Sequence, residues 1–190
     1  MSLLYRCLFP ALWMAWVLYW WALSRHVKVT VRRESPVSRL LHIGPLVIAA
    51  FLVGAERVPF ASLDERILPW TVAFFWVGAA RTAAGLLFTV WARVHLGTNW
   101  SGTVTLKRGH ELITSGPYAL VRHPIYTGLL LAFLGSALAR DEWRGVLAVV
   151  LVALALWRKL RHEERWMREQ FGDAYSAYSQ RVAALVPHIL

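Results

Sequence analysis

The sequence predicts an all-α integral membrane protein of about five transmembrane helices, completed by a polar connector and a C-terminal amphipathic helix. Three observations lead there. Apolar residues make up 57% and charged residues 17% of the 190-residue chain, and mean hydropathy is +0.45, beyond the usual soluble range. Eleven tryptophans are a large excess, and Trp gathers where membrane meets water. The net charge of +10 is spread over short segments between apolar runs, so membrane topology accounts for it better than nucleic-acid binding does. The single Cys7 excludes an intrachain disulfide and a thiolate metal site.

Residues 7–23 are uncharged and rich in Trp and Leu. Ala22-Leu23-Ser24 has signal-cleavage character, but only Arg6 precedes the run while Arg25, Lys28, Arg32 and Arg33 follow it. That polarity predicts a retained first span. Residues 24–39 form a basic loop, and 40–55 a second span containing Gly44-Pro45. After a mixed-charge connection, 67–92 is long enough to cross and carries Arg81 near its middle. Residues 124–139 and 145–157 are short fourth and fifth spans joined by 140–144. The whole is one membrane domain, with three N-terminal spans in 1–92 and a connector, hairpin and C-terminal helix in 93–190.

Lys and Arg number five in 24–39, four in 93–123 and six from Arg158 onward, against five on the opposite side. With five spans, this bias predicts an outside N-terminus and a cytoplasmic C-terminus. The connector and the basic tail then share the cytoplasmic face.

Two polar stretches stand out against the apolar background. In GHELITSGPYALVRHPIYTG (109–128), polar, small and aromatic residues interleave without a clear period. Ser115-Gly116-Pro117-Tyr118 is turn chemistry, and Arg122-His123 precedes a helix start at Pro124, a free helix N-terminus suited to an anionic ligand. The tail is helical to Phe171, broken at Gly172, and amphipathic again through Tyr175, Tyr178, Val182 and Leu185. Its cations suit anionic lipid headgroups. Glu163 and Glu164, beside Lys159 and Arg161, are either a helix-surface ion pair or a ligand clamp. Arg81 is an intramembrane cation and so a functional candidate, while Gly78 and Gly85 read as packing glycines. No HxxxH, HExxH, GxGxxG or Walker pattern occurs, and no metal is expected.

GPYALVRHPIYTG, preceded by GHELITS and followed by EERWMREQFGDAYSAYSQRV and Pro187, resembles the isoprenylcysteine carboxyl methyltransferase family over about residues 93–187. The resemblance implies an integral membrane enzyme using S-adenosylmethionine, enclosed between the connector and the C-terminal helix. It points to His110, Glu111, Leu112, Ile113, Tyr118, His123, Pro124, Ile125, Tyr126 and Glu163 as cofactor-binding residues, with Glu163 pairing with the cofactor's α-amino group. Lys159 stands where eukaryotic members tend to carry a substrate-contacting Arg, and Lys cannot give Arg's bidentate fork.

Methyl transfer from a sulfonium is an in-line displacement, so positioning is most of what the protein supplies. A carboxylate acceptor is already a nucleophile at neutral pH. It needs an orienting cation, for which Arg122, Lys159 and Arg81 are the candidates. An amine acceptor would need a base, for which His123 or Glu164 would serve. The expected acceptor is lipophilic, isoprenylcysteine-like, and enters from the bilayer. Alternatives are a phospholipid or small-lipid methyltransferase, an NADPH-dependent membrane reductase of related fold, and a non-catalytic scaffold.

Overall fold

A computed structural model describes residues 3–23, 30–69, 71–100, 105–107 and 111–187. Six helices carry the architecture: α1 (Leu3–Leu23), α2 (Pro36–Gly54), α3 (Val72–Leu96), α4 (Pro124–Arg140), α5 (Trp143–Phe171) and α6 (Asp173–Arg181). A short antiparallel pair, β1 (Thr30–Arg33) with β2 (Thr105–Lys107), links the first basic loop to the connector.

Local chemistry sets the helix starts. Ser35 caps α2, its side chain accepting from the Ser38 N–H at 3.2 Å, and Pro36 occupies the first turn. Thr71 caps α3 in the same way through Phe74. The third helix therefore starts at Val72 and not at Ile67, because Pro69 disfavours helix in the residue before it. The Ile67 and Leu68 amides instead bond Asp141 at the α4–α5 turn.

The expected fifth span and the tail are one helix. No breaker lies between Trp157 and Phe171, so α5 runs 29 residues and stops at Gly172, whose φ of +51° favours glycine. Its second half therefore carries Lys159, Glu163 and Glu164 on a rigid extension of a bundle helix.

α3 packs along α4, and α2 along α5. The α3–α4 seam is built on two glycine pairs. A Cβ at Gly78 would lie 2.5 Å from the Gly135 carbonyl oxygen, and one at Gly85 2.5 Å from that of Gly128. Thr82 adds an interhelical hydrogen bond to the Ala132 carbonyl at 3.2 Å. Small residues let helix backbones approach closely where neither water nor large side chains separate them.

Among the described residues, Pro36–Gly54 and Val72–Asn99 are long and apolar enough to cross a membrane, and Pro124–Arg140 is a shorter apolar helix. Large apolar side chains such as Val47, Phe51, Leu87, Val94 and Leu154 point outward. An apolar exterior of this kind is a lipid-facing surface. Arg81, the intramembrane cation considered as an orienting group for the acceptor, lies on that exposed exterior of α3.

Candidate active site

The connector and the tail are folded onto each other. Gly116, at φ +59°, turns the connector so tightly against α3 that a Cβ there would meet the His95 ring. His95 Nε2 lies 2.9 Å from Ser115 Oγ, and its ring stacks on Tyr118. The following residues pair with the chain end: the Arg122 and His123 amides donate to the Ala183 and Ala184 carbonyls at 2.8 and 3.0 Å. Tyr178 donates its hydroxyl to the Tyr118 carbonyl at 2.5 Å, and Thr127 its hydroxyl to that of Leu185 at 2.6 Å.

Arg122 holds this arrangement together. Its Nε and Nη2 donate to Glu164 Oε1 at 2.8 and 2.6 Å, and its Nη1 donates to the Ser179 and Val182 carbonyls. All three guanidinium nitrogens are thus engaged by the protein. The sequence reading of Arg122 as an orienting cation for an acceptor is corrected on that ground: it ties α5 to the tail. Glu164 is 4% exposed. Burial would raise its pKa, but the neighbouring His123 and Arg122 outweigh that and hold it at about 2. Burial pushes the Tyr178 hydroxyl up to about 12 and raises those of Tyr118 and Tyr175 further still.

Behind this clamp lies a cavity of about 370 Å³, within the usual size of small-molecule sites. Glu111, Leu112, Ile113 and Tyr118 of the connector line it, with His123, Pro124, Ile125 and Tyr126 from the start of α4. Arg122 also borders it, as do Lys159 and Glu163 of α5. Eleven residues expected at the site from sequence therefore share one cavity. His110 lies outside the described residues, and Arg81 is not on the cavity wall.

Of the two carboxylates that line the cavity, Glu111 and Glu163, the second is held by side chains of α4 and α5. The Tyr126 hydroxyl donates to its Oε2 at 2.6 Å, Lys159 Nζ lies 3.8 Å from its Oε1, and His123 Nδ1 lies 3.7 Å from Oε2. Lys159 also sits over the Tyr126 ring at 5.3 Å. The His123 ring stacks on that of Tyr126, and its Nε2 is buried 3.4 Å from Glu164 Oε1.

The sequence reading missed the rest of the lining. Trp16 and Trp20 of α1, stacked at 4.6 Å, meet Trp100, and Leu46 and Leu129 continue the apolar lining. Arg93 lies over the Trp100 ring at 4.4 Å and donates to the Leu23 carbonyl at 3.0 Å, fixing the rim to α1. The i, i+4 spacing of Trp16 and Trp20 is the only signal in the sequence, and any membrane helix with interfacial Trp would give it.

The site is a largely apolar chamber that Glu111, Glu163 and Lys159 line among aromatic and aliphatic side chains, and the chain belongs to the phospholipid methyltransferase family, whose model matches residues 73–174. Within it, similarity is to protein-S-isoprenylcysteine O-methyltransferases. A probable enzyme of that name from Oryza sativa subsp. indica is 31% identical over 165 residues, 83% of this chain and 84% of its own. Protein-S-isoprenylcysteine O-methyltransferase B of Arabidopsis thaliana is 27% identical over 141 residues, covering 71% and 68%. The Schizosaccharomyces pombe enzyme is 34% identical over 104 residues, covering 52% and 43%. The chain is a methyltransferase of this membrane-associated family.

Proposed function

We propose that the cavity binds S-adenosylmethionine and that the methyl group passes to the carboxylate of an isoprenylcysteine-like lipid. The observation that carries this reading is Glu163, a carboxylate on the wall of a largely apolar cavity, bonded by Tyr126 and close to Lys159. The residues present suit the cofactor: Glu163 for its ammonium group, Tyr118 and Tyr126 as aromatic faces for adenine or sulfonium, and the connector segment Glu111–Ile113 along one side. When bound, the cofactor supplies an electrophilic methyl group on a sulfonium.

The protein's part is positioning and exclusion of water. Lys159, the ammonium on the cavity wall 3.8 Å from Glu163 Oε1, orients the acceptor carboxylate. No base is needed for a carboxylate acceptor. The Trp16, Trp20 and Leu46 wall receives the lipid portion, which enters from the bilayer, and the cofactor enters from the cytoplasmic side. That orientation rests on the cation bias, with five spans, the C-terminus and the site cytoplasmic. The partners are then membrane lipids and a lipophilic substrate.

An amine acceptor is the second reading. The His123 imidazole, which lines the same wall between Glu163 and Glu164, is the group that would take a proton there. Membranes supplied with methyl-labelled S-adenosylmethionine and either an N-acylated S-prenylcysteine or an aminophospholipid separate the two. Base-labile label in the prenylcysteine supports carboxyl methylation, and base-stable label in the aminophospholipid alone would replace it.

A further inference from the structure

The cavity lining stops at one level in the bundle. Trp16 of α1, Leu46 of α2, Leu129 of α4 and Leu156 of α5 all line it. One turn further along the same helices, Trp13, Ala49, Phe133 and Val152 do not. Those residues pack in or against the core, with the Trp13 and Phe133 rings 4.9 Å apart. The first four are therefore the floor of the chamber, and Tyr118, Tyr175 and Tyr178 stand at its other end. Leu156 precedes Glu163 by seven residues on α5, so at the rise of an α-helix the floor lies about 10 Å from that carboxylate.

Trp16 is the floor residue that a hydrogen bond fixes. Its Nε1 donates to Thr89 Oγ1 at 2.6 Å. Thr89 is fully buried, and its own hydroxyl donates to the Leu86 carbonyl at 2.7 Å, which leaves the oxygen to accept. Its methyl group packs on Gly128, where a Cβ would come within 2.6 Å of it. Both branches of Thr89 are thus held, and they give the indole one place. Trp13 is pinned in the same way: its Nε1 donates to Ser136 Oγ at 3.1 Å, and Ser136 donates to the Ala132 carbonyl at 2.9 Å. The other face of α1 presents Met14, Val17 and Leu18 outward. An indole N–H away from water costs free energy unless it is bonded, so the two pins settle which face of α1 turns toward the chamber.

We propose that Trp16, positioned by Thr89, is the specificity-determining residue for the acceptor's apolar chain, and that its ring limits the length of that chain. This rests on the active-site reading above. With the acceptor carboxylate at Lys159, the chain runs down the Leu129 and Leu156 side and ends against the indole. Truncating Trp16 lengthens the chamber by the space of the ring, toward Trp13 and Phe133. Removing the Thr89 hydroxyl leaves the indole N–H unbonded, so the ring turns and the limit relaxes in part. α1 lies outside residues 73–174, the segment that the family model matches. The limit is therefore set by a helix added to that segment, and the cofactor's end of the chamber is left in place.

The test uses the full-length protein in detergent and three acceptors, N-acetyl S-geranyl-, S-farnesyl- and S-geranylgeranyl-cysteine, each one isoprene unit longer than the last. Calorimetric binding of S-adenosylhomocysteine runs beside it. One extra methylene in an apolar pocket changes kcat/KM by about ten-fold or more, so wild type should favour the geranyl over the geranylgeranyl acceptor by at least about ten-fold. Trp16→Ala should erase that preference. Thr89→Val, which keeps the shape and drops the hydroxyl, should lower it about three-fold, in line with the net worth of one neutral hydrogen bond. Thr89→Ser should keep it. Trp13→Phe cuts the pin that lies outside the cavity, and should lower the melting temperature without moving the preference. S-adenosylhomocysteine affinity should be unchanged throughout. If Trp16→Ala does not fold, Trp16→Leu and Thr89→Val carry the comparison. Indifference of wild type to chain length would overturn the limit. So would a preference unmoved in the Trp16 and Thr89 variants, or moved equally by Trp13→Phe. Failure of wild type to bind S-adenosylhomocysteine, or to methylate any of the three acceptors, would instead overturn the active-site reading itself.

Discussion

Replacing Glu164 by Gln removes a charge from the Arg122 clamp while keeping the side chain's shape. In the folded protein the Glu164 pKa is about 2, against an ordinary 4.5. That difference corresponds to roughly 3 kcal/mol of stability at neutral pH, at about 1.4 kcal/mol per pH unit. The sign follows from proton binding. Folding depresses the pKa, so the folded state binds fewer protons. The contribution is complete above pH 4.5 and disappears as pH falls toward 2. Glu164→Gln should therefore lower the melting temperature at pH 7 by roughly 6–12 °C, taking about 2–4 °C per kcal/mol for a chain of this size. Arg122, only 11% exposed at its side chain, would lose its carboxylate partner and be left with neutral acceptors. Below its melting temperature the variant should bind S-adenosylhomocysteine within about two-fold of wild type. The assay is thermal unfolding from pH 7 to pH 3, with calorimetric binding beside it. Wild type should lose stability on acidification more steeply than the variant. Equal melting temperatures at pH 7, or a selective loss of binding, would refute the clamp and return Glu164 to the ligand site.

Three further outcomes follow from the same geometry. Tyr126→Phe deletes the hydroxyl that bonds Glu163. A hydrogen bond to a charged group is worth about 1.5–3 kcal/mol, and this one is made within the fold, so the melting temperature should fall in thermal unfolding and calorimetry should show weaker S-adenosylhomocysteine binding as Glu163 loses its support. Gly85→Ala places a Cβ 2.5 Å from the Gly128 carbonyl oxygen. Overpacking of this kind costs about 1–3 kcal/mol, so thermal stability should drop without a change in KM measured at low temperature. Single cysteines at Ser62 and Ala174, in a Cys7→Ser background, should label from opposite sides of the membrane, and labelling of both from one side would remove a span from the topology.

The sequence carried the parts of the site that are local. The turn at Ser115–Tyr118, the helix start at Pro124 and the break at Gly172 each follow from one or two residues, and all appear in the fold. Contacts between distant residues were not legible. Arg122 and Glu164 are forty-two residues apart, so nothing in the spacing could reveal that the arginine's donors are used by the fold. The exposure of Arg81 was hidden because α3 is apolar on nearly every face, leaving no polar stripe to orient it. The β1–β2 pairing joins residues more than seventy positions apart, through strands too short to show an alternating pattern.

The central claim is that Glu163 faces the cofactor's ammonium group. The direct measurement is a calorimetric titration of S-adenosylhomocysteine and of NADPH into wild type and Glu163→Gln. Wild type should bind S-adenosylhomocysteine and not NADPH, and Glu163→Gln should bind it roughly ten- to a hundred-fold more weakly, from the same 1.5–3 kcal/mol at 1.4 kcal/mol per decade. Binding of NADPH alone, or unchanged affinity in Glu163→Gln, would contradict it.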